Sequence, residues 1–185
     1  MKKLVLAAAT LVAMLPMSLL GVGLLMSPAA FAACLSSTSL VVGPIPDSLT
    51  ATTRAGATVT LDRQQLTRAA TIITVGAKTE GVGRPGVLVA LMAALTESRL
   101  RMLANPSAVP ESASYPNDGT GSDHDSLGLF QMRPSAGWGT LAELMDAEYQ
   151  ARAFYGGAKG PNYPSPRGLL DIPGWQSFDP GEAAQ

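Results

Sequence analysis

The chain has 185 residues, with 13 Lys and Arg against 14 Asp and Glu and a formal net charge of −1. This length accommodates one domain plus a targeting segment, and a near-neutral chain without a basic stripe excludes a typical nucleic-acid-binding protein. One cysteine and one histidine exclude an intramolecular disulfide framework and a multi-histidine metal site. We therefore expect no metal ion, no other cofactor and no nucleic-acid partner, while the oligomeric state stays open.

The N-terminus is typical of an export signal. Lys2 and Lys3 precede a charge-free apolar run, and the Ala-Phe-Ala of residues 30–32 fits the small-x-small cleavage pattern. Residues 1–33 are therefore predicted to be a signal peptide or, because the run is long enough to span a bilayer, a membrane anchor. An imperfect lipoprotein signal ending at Cys34 is the third alternative. All three predict a secreted or membrane-anchored protein whose domain lies outside the cytoplasm, at the cell wall.

The next part of the chain predicts a linker followed by a helical domain. Residues 34–58 are rich in Ser, Thr, Gly and Pro, which is typical of a flexible linker. Residues 59–185 are predicted to form a mainly α domain. Asp62, with Gln65 three residues later, forms a capping-box pattern that predicts the start of its first helix, and Gly81 suits the end of that helix.

The second predicted helix, residues 85–101, is apolar on nearly its whole surface and carries Glu97 near its C-terminal end. A buried stripe is predicted by the helical spacing of Leu88, Leu91, Met92 and Leu95. A carboxylate at the end of such a helix would be poorly solvated and close to the negative end of the helix dipole, and both effects favour its protonated form. A protonated carboxylic acid suits glycoside cleavage. The alternative is that Glu97 pairs with Arg101 on an exposed last turn.

A long polar loop, residues 105–125, is predicted to follow this helix. Its acidic end, residues 117–125, has the look of a calcium loop but lacks the closing Glu of the EF-hand pattern. A solvated acidic loop is therefore the favoured interpretation, and a calcium-stabilised adhesion module is a weaker alternative. Asp123 and Asp125 in this loop could supply a second carboxylate, although we expect the loop to be mobile.

The chain then reads SLGLFQ over residues 126–131, in which Gly128 allows a close approach of the backbone. Trp138 lies between two glycines, a pattern that suits stacking on a sugar ring, and a role as a core residue is equally open. Thr140 and Glu143 form a second capping-box pattern, which predicts a third helix.

The end of the sequence predicts one more helix. Asp179 suits an N-cap, with Pro and Glu in the first turn. Residues 183–185 would form only the first turn of this helix, so we expect the C-terminal helices of the domain to be truncated.

Glu97-Ser98, followed by Ser126-x-Gly128-Leu129-Phe130-Gln131, resembles the soluble lytic transglycosylase and goose-type lysozyme families. The longer run of residues 125–140 resembles the lysozyme-like domains of actinobacterial cell-wall proteins. The resemblance implies a lysozyme-like helical fold and cleavage of the MurNAc–GlcNAc bond of peptidoglycan, with Glu97 as general acid and then base. The residues predicted to bind the glycan strand are Ser98, Ser126, Gly128, Gln131, Trp138 and Tyr155, with Tyr149 as the alternative to Tyr155.

Two mechanisms remain open at this point. Glycosidic cleavage ordinarily uses two carboxylates, and Asp123 or Asp125 would then hold a water for a muramidase. If neither reaches the bond, the N-acetyl group of the substrate must assist, and we favour this non-hydrolytic route because it needs only Glu97. The competing class is a non-catalytic wall-binding or assembly protein that keeps a degenerate groove.

Overall fold

The computed structural model describes residues 40–53 and 55–184. Strands β1 (Ser48–Thr52) and β2 (Thr58–Asp62) form an antiparallel hairpin in which Ser48 lies opposite Asp62 and Thr52 lies opposite Thr58. The α-helices of this part of the chain are α1 (Arg63–Lys78), α2 (Gly83–Ser98), α3 (Leu141–Leu144), α4 (Ala147–Tyr155) and α5 (Pro180–Ala183). Short 3-10 helices lie at Pro110–Ser114, Pro134–Ala136, Leu169–Asp171 and Trp175–Ser177.

The described residues form a small mixed domain of helices and one two-stranded sheet. The mainly α prediction is therefore confirmed only in part, because helices supply most of the regular structure but the hairpin is part of the same compact unit. Within the described ranges, none of the helices is both long and apolar enough to cross a membrane.

The hairpin corrects the predicted linker. Strand β1 lies inside residues 34–58 and pairs along its full length with β2, so the linker prediction is wrong for these residues. Four threonines and Val59 make up half of the ten residues in the two strands, and β-branched residues favour the extended conformation. The linker was predicted because a Ser- and Thr-rich composition is also typical of linkers. The predicted export signal or anchor, residues 1–33, lies outside the described residues.

Helix α1 begins where its capping box predicts. The Asp62 carboxylate accepts a hydrogen bond from the Gln65 backbone N–H at 2.9 Å, and the Gln65 side chain accepts one from the Asp62 N–H at 2.9 Å. The helix ends at Lys78, and Gly81 adopts a φ of +86° in the turn that follows. Gly81 therefore lies beyond the helix cap, in the turn that leads to α2.

Helix α2 packs with a different face from the one predicted. Its buried residues are Gly86, Val87, Val89, Ala90, Ala93, Ala94 and Ser98. Leu88 and Leu95, by contrast, are 49% and 37% exposed, so the predicted buried stripe is wrong. A face of small residues allows close packing on α1, where Gly76 has no room for a side chain beside Val87 and Tyr155.

The end of α2 reverses the chain direction without a glycine. Arg99 and Leu100 both lie in the left-handed region, with φ of +56° and +61°. Leu100 then points into the core, where it is 1% exposed. The helix therefore ends at Ser98 rather than at residue 101, because burial of Leu100 offsets the cost of the left-handed backbone.

Residues 105–125 form an ordered loop, which differs from the mobile loop expected from the sequence. Asn105 is fully buried, and its side chain donates to the His124 carbonyl at 2.9 Å while its backbone N–H donates to the Ser112 hydroxyl at 2.9 Å. The Asn105 side-chain oxygen also accepts a hydrogen bond from Ser107 at 2.7 Å. The buried side chain of Asn105 thus joins the two ends of the loop. No local sequence pattern indicates this contact, because its partners are far apart in the chain.

The helical segment after Thr140 is divided into two helices. Thr140 and Glu143 form the predicted capping box, but α3 ends at Leu144. Asp146 then caps α4 by accepting a hydrogen bond from the Tyr149 N–H at 2.6 Å. Asp146 is a common type of N-cap residue. Because apolar residues continue at helical spacing on both sides of it, the sequence predicted one continuous helix instead of two.

Candidate functional site

One cleft collects several of the predicted site residues. Its cavity volume is about 240 Å³, and it lies between the last turns of α2, residues 130–132 and residues 167–172. It is lined by Ala93, Glu97, Phe130, Gln131, Met132, Trp138, Phe154, Arg167, Gly168, Leu169, Ile172 and Ala184. Glu97, Gln131 and Trp138 are thus brought together from sequence positions far apart.

Glu97 lies on the last turn of α2, in contact with the cleft but exposed to solvent. The expectation of a poorly solvated carboxylate is therefore wrong, because the side of the helix that carries it is not the buried side. The alternative ion pair with Arg101 is also not formed among the described residues. The left-handed turn at Arg99 and Leu100 removes Arg101 from the helix, so the i, i+4 geometry is lost.

The SLGLFQ segment forms a tight loop beside Glu97. Leu127 and Met132 exchange backbone hydrogen bonds of 2.9 and 3.1 Å across its base. Gly128 and Gln131 both lie in the left-handed region, at φ of +75° and +48°. The Gln131 side chain donates to the Gly128 carbonyl at 2.9 Å. This hydrogen bond joins two residues of the loop itself and stabilises its conformation.

Gln150, on α4, is hydrogen-bonded through its side chain to the backbone of this loop. Its side chain accepts a hydrogen bond from the Phe130 N–H at 2.9 Å and donates to the Leu127 carbonyl at 3.0 Å and to the Leu144 carbonyl at 2.5 Å. Gln150 is fully buried. Buried polar side chains with every bond satisfied fix a single local arrangement, so Gln150 determines where Phe130 and Gln131 lie. No motif around Gln150 indicates this role.

Ser98 connects α2 to the same loop. Its buried hydroxyl donates to the Leu129 carbonyl at 2.7 Å and accepts a hydrogen bond from the Arg101 N–H at 3.2 Å. It therefore fixes the distance between the helix end that carries Glu97 and the loop that carries Gln131. Ser98 is buried and its hydroxyl is bonded to protein groups, so the structure places it behind the cleft, and its predicted direct contact with substrate stays a prediction.

Three other predicted contact residues also lie outside the cleft lining. Ser126 is buried, and its backbone N–H donates to the Asp123 carbonyl at 2.9 Å. Gly128 packs against Gln150, with no room for a side chain. Tyr155 is fully buried, and its hydroxyl donates to the Ile72 carbonyl of α1 at 3.0 Å. Burial raises the pKa of Tyr155 above its ordinary value. All three residues shape the core beneath the cleft.

Tyr149, the alternative to Tyr155, is the tyrosine that supports the cleft. Its hydroxyl donates to the Trp138 carbonyl at 3.0 Å and lies 3.1 Å from the side-chain oxygen of Asn162. Asn162 also donates to the Trp138 carbonyl at 3.0 Å. Burial, with a smaller contribution from Glu143, raises the pKa of Tyr149. Trp138 is only partly buried, so its aromatic face can contribute to the cleft wall.

Neither proposed second carboxylate reaches the cleft. Asp123 is exposed and lies 2.9 Å from the His124 ring. Asp125 accepts hydrogen bonds from the Ser135 N–H at 2.8 Å and from the Arg133 guanidinium at 2.5 Å. Hydrogen bonds from Ser135, and then from Arg133, hold the pKa of Asp125 well below its usual range. Neither residue belongs to the lining that contains Glu97, and a role for either as a second carboxylate stays a prediction.

Among the lining residues that were not predicted as site residues, three have aromatic or charged side chains. Phe130 and Phe154 stack with their ring centroids 4.5 Å apart and an interplanar angle of 17°, and both lie in the lining. Arg167 comes from the proline-rich segment before Leu169–Asp171. Phe130 belongs to the SLGLFQ segment and could have been inferred from it, whereas Arg167 has no motif around it.

The charges of the cleft are few. Among its described lining residues, Glu97 is the one carboxylate and Arg167 is the one cation. In the described part of the chain, no cluster of three or more His, Cys, Asp and Glu side chains could hold a metal ion. The cleft thus combines one carboxyl group (Glu97), aromatic rings and the side-chain amide of Gln131. The rings and the amide are groups that can contact a saccharide.

No protein-family model matches the chain, and no curated protein matches it significantly.

Proposed function

We propose that the chain carries a lysozyme-like catalytic domain that cleaves the MurNAc–GlcNAc bond of peptidoglycan, with Glu97 as its general acid and base. The observation that carries the proposal is the meeting of Glu97, Gln131 and Trp138 in one cleft. The resemblance of Glu97-Ser98 and SLGLFQ to the soluble lytic transglycosylases and goose-type lysozymes rests on these same segments.

The lining of the cleft suits a glycan strand. Phe130, Phe154 and Trp138 offer apolar ring surfaces for the faces of sugar rings, and Gln131 can hydrogen-bond hydroxyl or acetamido groups. Gln150 and Ser98 fix the loop and the helix end relative to each other. This rigidity supports catalysis, because the acid must lie within hydrogen-bond reach of the glycosidic oxygen.

We infer a non-hydrolytic mechanism. Glu97 donates its proton to the glycosidic oxygen, and the bond between that oxygen and C1 of the muramyl residue breaks while the substrate's N-acetyl group supports the developing positive charge. The muramyl 6-hydroxyl then attacks C1, and the Glu97 carboxylate takes the hydroxyl proton. A 1,6-anhydro product forms, Glu97 regains its proton, and no water is consumed.

The absence of a second carboxylate from the described lining supports this route over a two-carboxylate muramidase. An inverting glycosidase needs a base about 6.5–9.5 Å from its acid to hold a water, and a retaining one needs a nucleophile nearer still. Asp123 and Asp125 both have other partners.

Digestion of purified peptidoglycan, followed by mass spectrometry, tests both the activity and its product. We expect 1,6-anhydromuramyl ends from the wild-type chain and none from Glu97→Gln, which should keep its helix content by circular dichroism because Glu97 is exposed. Glu80→Gln is the matched control, since it removes an exposed carboxylate that lies outside the cleft lining. Lysis by Glu97→Gln at the wild-type rate would remove Glu97 from the mechanism. Products that all carry an added water would indicate a muramidase.

A non-catalytic wall-binding protein is the second candidate, and the exposure of Glu97 favours it. The general acids of many glycosidases lie in apolar surroundings, whereas Glu97 is exposed to solvent. In that case the wild-type chain should bind insoluble peptidoglycan in a pull-down but produce no clearing in a zymogram. For either function, we propose from residues 1–33 that the domain acts outside the cytoplasm, secreted or anchored to the membrane.

A further inference from the structure

We propose that Arg167 binds a carboxylate on the muramyl side of the glycan, so that the cleft distinguishes muramyl glycans from neutral ones. This inference rests on the proposed function, because it names the substrate group that the same cleft recognises. No sequence motif or comparison assigns any role to Arg167.

The side chain of Arg167 is available for a ligand. It is exposed and lines the cleft, and among the described residues it forms no salt bridge. In contrast, Arg133 beside the loop is already paired with Asp125. A guanidinium without a protein partner keeps all of its donors for a bound anion.

The backbone that carries Arg167 is fixed. The next residue, Gly168, is buried against Gly156 so closely that a side chain on Gly168 would collide with it. The Gly168 N–H donates to the Asp171 carboxylate at 3.0 Å, and the same oxygen accepts a hydrogen bond from the Gly157 N–H at 2.9 Å. Arg167 therefore projects from an anchored point on the cleft wall, which lowers the entropy lost when it orders around a ligand.

The chemistry of the glycan selects the ligand group. GlcNAc is neutral, whereas MurNAc carries a lactyl ether that ends in a carboxylate or continues into a stem peptide with carboxylates of its own. Arginine binds carboxylates through two parallel hydrogen bonds. Because Glu97 is negative when ionised, an anionic substituent in this cleft is favoured near Arg167 and disfavoured near Glu97, which orients the strand.

The test is a binding titration by calorimetry with the full chain carrying Glu97→Gln, so that no substrate is turned over. Four probes of equal glycan length separate the contributions: a stem-free GlcNAc–MurNAc oligosaccharide, the same glycan with stem peptides, that glycan with its stem carboxylates amidated, and a chitooligosaccharide. Arg167→Gln and Arg167→Lys are each added to this background. Arg84→Gln is the matched control, because Arg84 is an exposed arginine outside the cleft lining.

We expect Arg167→Gln to weaken binding of a carboxylate-bearing muramyl glycan about tenfold, the size of one charge-assisted hydrogen-bonded contact. The loss should be smaller for Arg167→Lys and should shrink in high salt, and chitooligosaccharide binding should not change. A loss with the stem-free glycan identifies the lactyl carboxylate as the partner. A loss that requires the stem and disappears on its amidation identifies a stem carboxylate.

Equal weakening of the chitooligosaccharide, or no change with any muramyl probe, would overturn the inference and leave the proposed function standing. If the chain with only Glu97→Gln binds none of the four probes, both the proposed function and this inference fall. Circular dichroism of each variant shows whether the fold is kept, and the exposure of Arg167 predicts that it is.

Discussion

The two tyrosines of α4 differ in what their hydroxyls hold, and this difference predicts different phenotypes. Tyr155→Phe removes one hydrogen bond to the Ile72 carbonyl in the core and should lower the free energy of unfolding by about 1 kcal/mol. Tyr149→Phe removes the support of the Trp138 carbonyl and should weaken glycan binding at the cleft. Chemical denaturation and titration with a muramyl glycan measure the two effects.

Each tyrosine variant serves as the control for the other, because both lose a single hydroxyl from the same helix. A Tyr155→Phe variant that loses glycan binding while keeping its stability would return Tyr155 to the site and contradict the core role assigned to it.

Gly128 is required both for its backbone angle and for the space it leaves. Gly128→Ala would place a methyl group on top of the Gln150 amide at a φ of +75°, and we expect a loss of roughly 3 kcal/mol from strain and overpacking together. Gly137→Ala is the matched control, since Gly137 has a φ of +81° but its nearest neighbour would be 3.7 Å from the new carbon. It should show only the strain, about 1 kcal/mol. Equal losses in the two variants, measured by urea denaturation, would show that the Gln150 contact is unimportant.

The loop of residues 128–131 is held by one distant side chain, that of Gln150. Gln150→Leu keeps the approximate volume but leaves the Phe130 N–H and the Leu144 carbonyl without their buried partner. Each such group costs about 1–3 kcal/mol, so we expect a loss of roughly 3 kcal/mol and faster hydrogen exchange at the Phe130 amide.

Gln176→Leu is the control for this substitution, because Gln176 is exposed and its loss should change stability by less than about 0.5 kcal/mol. If Gln150→Leu leaves both the stability and the Phe130 exchange rate unchanged, the loop is held by its own bridge between Leu127 and Met132.

Local signals predicted the starts of α1 and α3 correctly and the buried face of α2 incorrectly. Asp62 and Thr140 both cap helices as predicted, because a capping box is complete within four residues. The buried face of α2 depends instead on which neighbour packs against it. Leu88 and Leu95 fit a buried stripe by spacing alone, but the buried face of the helix consists of its smaller residues: glycine, alanines, valines and Ser98. Nothing local to α2 specifies that Gly76 of α1 leaves room for this close approach.

The same distinction applies to the site at the scale of the whole molecule. Glu97, Gln131 and Trp138, which line the candidate site, could be selected from the sequence because recognisable segments carry them. Gln150 and Asn105 could not, because their hydrogen bonds join parts of the chain 20 or more residues apart in several cases. Arg167 enters the cleft through the packing of Gly168 on Gly156, which is also a long-range effect.

The stability of the whole domain should depend on the protonation state of Asp125. Its carboxylate is hydrogen-bonded by Ser135 and Arg133, and these bonds hold its pKa well below the ordinary value of about 4. The folded state therefore binds this proton more weakly than the unfolded state does. The stabilisation is fully present above about pH 4 and is lost progressively as the pH falls toward the folded-state pKa.

Asp125→Asn should accordingly lower the Tm most near neutral pH. The difference from wild type should narrow between about pH 4 and pH 2, because in this range Asp125 takes up a proton more readily in the unfolded wild-type chain than in the folded one. Thermal melts of both proteins at a series of pH values measure this difference. Asp47→Asn is the control: Asp47 pairs with Arg63 on an exposed surface, where ion pairs contribute about 0–1 kcal/mol. Wild-type and Asp125→Asn curves that stay parallel down to pH 2 would show that the Ser135 and Arg133 contacts do not favour the ionised carboxylate, and the segment from Asp125 to Ser135 would then need another explanation for its order.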